Sequence, residues 1–445
     1  MNNLKYFLLT LFFFNAQSVL KSQENLKKLD IELTKLAKEE LFHGQVLIAE
    51  AGKVKFSKSY GVNEDGSSIL INTPIDIQSV AKAITAISIL KLHETGEVNV
   101  NDYLAQYIPS LGFYDGVTIK HILTHTSGLP RFFEVVFKHW PHHQFLKMED
   151  LINLVVKHQP NAQAAPGQYE SYNQTAYMLL AEVVERVTEQ PFTQYVRENI
   201  FEPAGMTQTH FLVENQDYIS ELGEANLDNL FSLIVGDGGI ESTAEDMFLL
   251  DKAINNGTLM APNVMNLAYI PLDLAEGREG RFGFGGSLVE KEMGKRVFQH
   301  IGQGPASNAV FTRYIDTHDV LIVVNKESVQ YASKVYQAIE SIWKNKPYEL
   351  PRKRRFHVLT PQQIAQYIGD YGDNGFMHIT TEGGKLYIQP DGNPSKVLIV
   401  PSSDTTFYFE DQDVKWEIYL NDAGKVIGFG PQGEPDHMMK RWNKN

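Results

Sequence analysis

The sequence predicts an α+β chain in two parts, a first domain mixing antiparallel hairpins with a large helical lobe and a small antiparallel β-barrel after it. Three observations carry this. Strand-like runs split by turns occupy residues 44–61 and 308–325, helical spacing fills residues 101–200, and short strands alternate with turns from Thr360 onward. A single core rarely serves 445 residues, so two domains are expected.

In order, the chain opens with a lone charge, Lys5, and an apolar run over residues 6–14 that is too short to cross a bilayer. This reads as a secretory signal over residues 1–22, cleaved after Ala16 or Ser22; the alternative is a retained anchor. The expected divisions are a signal at 1–22, a first domain at 23–346, a linker at 347–359 and a barrel at 360–445. A periplasmic or secreted protein follows, with no stable membrane insertion once the signal is removed. The absence of cysteine excludes disulfides, a thiol nucleophile, thiolate metal sites and a lipidated cysteine. A net charge of -14 argues against nucleic acid or anionic lipid as partner. The one basic cluster, Arg352 to Arg355, follows Pro347 and Pro351 and reads as solvated linker.

Residues 23–41 carry Leu26, Leu29, Ile31, Leu33, Leu36 and Leu41 among charges and predict an amphipathic helix. A hairpin turning at Ala51-Gly52 follows, then a polar loop. Next comes an apolar run from Ala83 to Leu92 closed by Thr95-Gly96, a helix buried on most sides. Helices are predicted at 103–107, 118–123, 148–156 and 177–187, and a capping box at Ser242 with Glu245. Gly283 to Gly286 is a turn before a strand, and Val335 to Trp343 a terminal helix. In the tail, residues 361–367 are helical, and strands are predicted at 377–381, 385–389, 396–401, 405–409, 415–420 and 426–429.

The chemistry centres on Ser79-Val80-Ala81-Lys82, which heads the buried helix. Lys82 lies three residues beyond Ser79, on the same helical face. A serine hydroxyl needs a base beside it, and a lysine serves only as the neutral amine. For an unperturbed lysine at pH 7 that state costs about 4.6 kcal/mol. Burial and a helix N-terminus both act in the required direction. The competing reading of Ser79 is a plain helix cap.

Downstream, His125 in Thr124 to Pro130 reads as a hydrogen-bonded organiser rather than a participant. After the Pro166-Gly167 turn, Tyr169 or Tyr172 could relay a proton to a leaving group; either could also be an ordinary buried aromatic. His139, His142 and His143 cluster without a nearby glutamate at helical spacing or a fixed third ligand, so no metal site is expected.

These motifs, in order, resemble the serine β-lactamase and penicillin-binding-protein-like superfamily, in particular its class C-related branch of β-lactamases, esterases and D-amino-acid peptidases. The resemblance rests on Ser79 to Lys82, His125 to Pro130, Pro166-Gly167 with its tyrosine, Gly238 to Asp246, and His300-Ile301-Gly302. It spans roughly residues 40 to 345. The fold it implies joins both hairpins in one antiparallel sheet flanked by helices, with an all-helical lobe beside it. The tail is similar to the lipocalin-like domain of some members. The resemblance implies Ser79 as acylated nucleophile, Lys82 as base, Tyr172 as the catalytic tyrosine with Tyr169 as alternative, and an oxyanion hole of backbone N–H groups from Ser79 and Gln303. It puts Gln174, His300 and Gly302 at the substrate.

Two departures matter. Tyr172-Asn173-Gln174 stands where the family has tyrosine-serine-asparagine, so the amide at Gln174 is one methylene longer. His300 replaces a lysine, a permanent cation suited to a substrate carboxylate, with a side chain mostly neutral near pH 7. The expectation is an exported serine hydrolase of a small-molecule or peptide substrate, cleaving an amide, peptide or ester bond without metal or organic cofactor. A β-lactamase or DD-carboxypeptidase is the alternative within the class, and a non-turnover penicillin-binding-like sensor the alternative outside it. The physiological substrate and oligomeric state are not encoded in any motif.

Overall fold

A computed structural model describes residues 21–442 except 227–228, 293–294, 305, 327–328, 354–355, 373–374, 391–395 and 410–413. Residues 1–20 of the expected signal, and Arg354 and Arg355 of the basic cluster, lie outside the described residues. The described residues fall into two compact units, those within 1–326 and 339–348, and those within 327–338 and 349–445.

In the first unit a helix over residues 21–38 precedes strands β1 (Gly44–Glu50) and β2 (Lys53–Tyr60). The helix buries Leu29, Leu33 and Leu36, while Ile31 is 68% exposed. Spacings of four and three keep the leucines on one face, and Ile31, two residues from Leu29, falls off it. Short strands β3 (Ile75–Asp76), β4 (His210–Phe211) and β5 (Ile240–Ser242) form a separate three-stranded sheet, in the order β3-β5-β4. Strands β6 (Phe282–Gly283), β7 (Gly286–Glu292), β8 (Lys295–Gln303), β9 (Asn308–Tyr314) and β10 (Asp319–Asn325) complete a seven-stranded antiparallel sheet, β2-β1-β10-β9-β8-β7-β6. The two sequence-predicted hairpins do share it, with Val46 opposite Val323. All seven residues of β9 are buried, as befits a central strand covered on both faces.

The Ala81–Thr95 helix runs through the middle of the core. Eleven of its residues are buried, Lys82 among them, so it presents no polar face, and Gly96 closes it at φ +82°. Around it pack the Gln174–Thr188 helix and the smaller helices of the lobe, including Ile119–Leu123 and Met148–His158. The predicted cap at Ser242 shifts by one residue. Thr243 caps the Ala244–Asn255 helix by accepting the N–H of Asp246 at 3.0 Å, while Ser242 ends β5 and its hydroxyl meets that of Thr209 at 2.8 Å. Strand pairing at Ser242 fixes the chain as extended there, so helix entry waits for the next hydroxyl.

In the second unit the six predicted tail strands appear together with two more, giving β11 (Gly369–Tyr371), β12 (Met377–Glu382), β13 (Lys385–Pro390), β14 (Val397–Pro401), β15 (Thr406–Phe409), β16 (Lys415–Leu420), β17 (Val426–Pro431) and β18 (Met439–Trp442). They close into an antiparallel barrel, with Asp370 opposite Trp442 at the seam. Tyr371, Phe407, Phe409 and Phe429 fill its interior. A void of about 10 Å³ lined by Tyr367, Ile379, Phe407 and Ile418 has room for about one water.

Candidate active site

Ser79 lies in a single 3-10 turn, Gln78–Val80, that leads into the Ala81–Thr95 helix. No side chain caps either the turn or the helix, so the plain capping role is not the one Ser79 fills. Its hydroxyl instead accepts a hydrogen bond from Lys82 Nζ at 3.0 Å. The turn is heavily pinned. Gln78 adopts φ +52°, a conformation a β-carbon disfavours, and is held there by Asp76, which accepts the Gln78 backbone N–H at 2.8 Å and its side-chain amide at 2.6 Å. The same amide donates to Ser307 Oγ at 2.9 Å, and Ile77 N–H donates to Ile240 O at 2.9 Å. Ser79 is thereby held between β3, β5 and the loop that joins β8 to β9.

Lys82 is wholly buried. Besides Ser79 it donates to the carbonyl of Asp237 at 2.6 Å, and Asp237 Oδ2 stands 3.9 Å from Nζ. The rings of Tyr172 and Tyr177 lie 5.3 and 6.0 Å from Nζ. Tyr177 is committed to structure. Its hydroxyl donates to Leu123 O at 2.7 Å and accepts from Gly285 N–H at 2.9 Å. Tyr172 is half-buried, its ring 4.5 Å from His125 and 6.5 Å from His300, and its hydroxyl has no partner among the described residues. Tyr169 turns away, its hydroxyl bonding the carbonyl of Gln163.

His125 organises this corner. It has φ +56°, accepts the Asn173 N–H on Nδ1 at 3.2 Å, and packs at a tilt against the rings of Tyr172 and Tyr177. Burial holds it well below the usual imidazole range, helped by Lys82 and His300. Asn173 caps the Gln174–Thr188 helix and donates to Leu129 O and Pro130 O, which ties the tyrosine loop to the His125 loop. Gln174 opens that helix half-buried, and its amide has no hydrogen-bond partner among the described residues. Adjacency to Tyr172 is what links it to the site.

The β8 strand supplies the opposite wall. His300 is buried and its Nδ1 bonds the carbonyl of Gly285. A carbonyl only accepts, so Nδ1 carries the proton and Nε2 the lone pair. Burial, with Lys82 adding repulsion, pushes the His300 imidazole down to about 3, although the Gly285 bond works the other way. The ring is neutral at physiological pH. Gly302 sits directly over the turn: a β-carbon there would meet Ile77 O at 2.3 Å and Ser79 N at 3.1 Å.

The register also aims Gln303. Gly304 N–H donates to Ser307 O at 3.0 Å, so the neighbouring pair Gln303 and Asn308 is the kind that exchanges no ladder bonds. The Gln303 N–H points away from β9. Pairing of β8 with β7 ends at Gln299, opposite Ser287, so past that residue this edge faces the Ser79 turn rather than a strand.

Sequence reasoning passed over Asp237 and Asp76. The first lies in the glycine-rich loop that leads to the Ser242 capping box; the second, three residues ahead of the serine, gave no periodic or motif signal. Burial, with repulsion from Glu241 and Asp237, pushes Asp76 up to about 6 against the bonds it takes from Gln78. The histidines weighed for a metal go elsewhere: His139 stacks on His158 at 3.7 Å and His142 bonds Phe137 O at 2.9 Å.

Comparison with known proteins gives the family of the chain. Penicillin-binding protein 4* of Bacillus subtilis (strain 168) is 28% identical over 450 residues, 94% of this chain and 99% of that protein. The penicillin binding protein from Bacillus halodurans superposes with a TM-score of 0.58 at 27% identity, over 70% of this chain and 98% of that one. The D-amino acid amidase from Ochrobactrum anthropi SV3 gives a TM-score of 0.58 at 16% identity, over 72% of this chain and 99% of its own, a likeness of fold. The family model described as beta-lactamase matches residues 35–340, more than half of the chain, and the chain belongs to that family of serine hydrolases.

Proposed function

We propose that the protein is an exported hydrolase that cleaves an amide, peptide or ester bond through an acyl-enzyme on Ser79. The observation that carries this is the hydrogen bond from the buried Lys82 Nζ to Ser79 Oγ at 3.0 Å. In this reading Ser79 Oγ attacks the carbonyl carbon while its proton passes to the Lys82 amine. The negative charge on the carbonyl oxygen is held by the N–H groups of Ser79 and Gln303, worth a few kcal/mol where they are fixed in advance. Collapse breaks the bond to the leaving group, which takes a proton delivered through the Tyr172 hydroxyl, a group without a partner among the described residues. Water then attacks the ester on Ser79 and releases the acid.

The neutral His300 favours substrates that do not depend on a cation at that point of β8. D-amino-acid amides, peptides and esters fit better than penicillin-type carboxylates. Export rests on the apolar N-terminal run; among the described residues no helix is long and apolar enough to cross a membrane.

A fluorophosphonate probe followed by a screen of esters, D-amino-acid amides and β-lactams tests this reading. Labelling at Ser79 and turnover, both lost in Ser79→Ala, is the expected result. Ordinary catalytic turnover of a chromogenic cephalosporin would move the assignment to β-lactamase. Stable acylation without release would move it to a sensor.

A further inference from the structure

Two consecutive carbonyls of the Gly236-Asp237 loop are clamped on one face of the nucleophile's helix. Thr85 Oγ1 donates to Gly236 O at 2.6 Å, and Lys82, three residues earlier, donates to Asp237 O at 2.6 Å. Gly236 takes φ +109°, and a β-carbon there would run into Ala181 and Tyr177 O, so the loop has one seat. That seat leaves Asp237 Oδ2 3.9 Å from Nζ, too long for a hydrogen bond but close for two charges. The carboxylate side is 21% exposed and the lysine not at all.

We propose that Asp237 is a positioning residue whose carboxylate sets the pH at which Ser79 becomes nucleophilic. The proposal rests on the Ser79 and Lys82 reading above. As the Oγ–carbon bond forms and the carbonyl π pair moves onto oxygen, the Oγ proton passes to Nζ, and the amine becomes an ammonium beside Asp237. The carboxylate stabilises that ammonium. It therefore opposes the neutral amine needed at the start and favours the product of the transfer, so reactivity sets in at a higher pH with the carboxylate than without it.

The other groups around Nζ do not duplicate this charge. From the helical lobe come the Tyr172 and Tyr177 rings and neutral His125, and from β8 neutral His300. From β3 comes Asp76, whose own carboxyl is pushed up by burial and by the charges of Glu241 on β5 and Asp237. Burial pushes the Asp237 carboxyl up, and Lys82 pulls it back down. The backbone carbonyl, not the side chain, makes the close contact to Nζ, so the charge can be removed while the clamp stays.

The test is the rate of fluorophosphonate labelling of the full chain from pH 5 to 10, which needs no known substrate. In that reaction the Ser79 Oγ–phosphorus bond forms, fluoride departs with the phosphorus–fluorine pair, and Lys82 takes the proton. In Asp237→Asn the pH of half-maximal labelling is expected to fall by about 1–3 units, and in Asp237→Glu to return towards wild type. If Asp237→Asn does not fold, Asp237→Ser gives the same reading. A folded, charge-free variant with an unshifted midpoint overturns the proposal alone. A wild-type chain unlabelled at Ser79 at every pH overturns the nucleophile assignment and this proposal with it.

Discussion

The backbone N–H of Gly285 donates to the Tyr177 hydroxyl at 2.9 Å, and the same hydroxyl donates onward to Leu123 O at 2.7 Å. One phenol thereby joins the β6–β7 turn to the helical lobe across the floor of the site. Its neighbour Tyr172, five residues earlier, keeps a hydroxyl without a partner among the described residues.

The two tyrosines should therefore fail differently when truncated. Tyr177→Phe strands a buried N–H and a buried carbonyl, and is expected to cost about 1–3 kcal/mol of stability. Tyr172→Phe removes no such bond. Its expected loss is about 10²–10⁴-fold in turnover, with unfolding by urea nearly unchanged. A Tyr172→Phe enzyme of full activity would remove the proton-delivery role.

His300 provides a pH signature. Its imidazole is held at about 3 in the folded chain against about 6.5 when unfolded. Between those values the unfolded chain binds a proton that the folded chain refuses. Stability from this group is fully present above pH 6.5 and is lost as pH falls towards 3. At pH 5 the loss is about 2 kcal/mol. His125, held low by the same burial, adds a slope of the same sign. Urea unfolding at pH 7 and pH 5 should show a smaller drop in His300→Gln than in wild type. Equal drops would place the proton elsewhere.

How much of this was legible in the sequence depends on the range of each interaction. The Ser79–Lys82 pair was readable because helical spacing brings residues three apart together whatever the rest of the fold does. Six of the tail strands announced themselves by strand-forming residues set between turn residues. The two that close the barrel, Gly369–Tyr371 and Met439–Trp442, did not: the first is three residues opening on glycine, and the second places Lys440 and Arg441 side by side with no β-branched residue. Ile31 appeared apolar and core-facing until the leucine stripe fixed the helix's rotation. Asp237 could not have been found, since its meeting with Lys82 depends on a loop 155 residues away docking on the helix.

Gly302 tests the oxyanion wall. An added methyl would stand 2.3 Å from Ile77 O, which is backbone and cannot swing aside, and 3.1 Å from Ser79 N. Gly302→Ala must push β8 away from the Ser79 turn and so spread the two N–H groups proposed to hold the oxyanion. The expected result is at least about a 10²-fold loss in the rate of Ser79 acylation. A variant that acylates normally would show that these donors are not the ones that matter.

Arg313 and Asp251 carry the last prediction, one of stability. Arg313 projects from β9 and its Nε meets Asp251 Oδ1 at 2.5 Å, with both side chains nearly inaccessible to water. The guanidinium also bonds Asn255 at 2.8 Å and the Tyr269 hydroxyl. Pairing with Asp251 and Tyr269 keeps Arg313 charged despite its burial. Removing one partner leaves the other as an unpaired buried charge. Asp251→Asn or Arg313→Met alone is expected to destabilise the first unit by about 3–5 kcal/mol. The double replacement Arg313→Met with Asp251→Leu removes both charges and should recover most of that loss. Denaturant midpoints for the two singles and the double decide it. A double variant as unstable as the sum of the singles would mean that the pair contributes through shape and its bonds to Asn255 and Tyr269, not through charge balance.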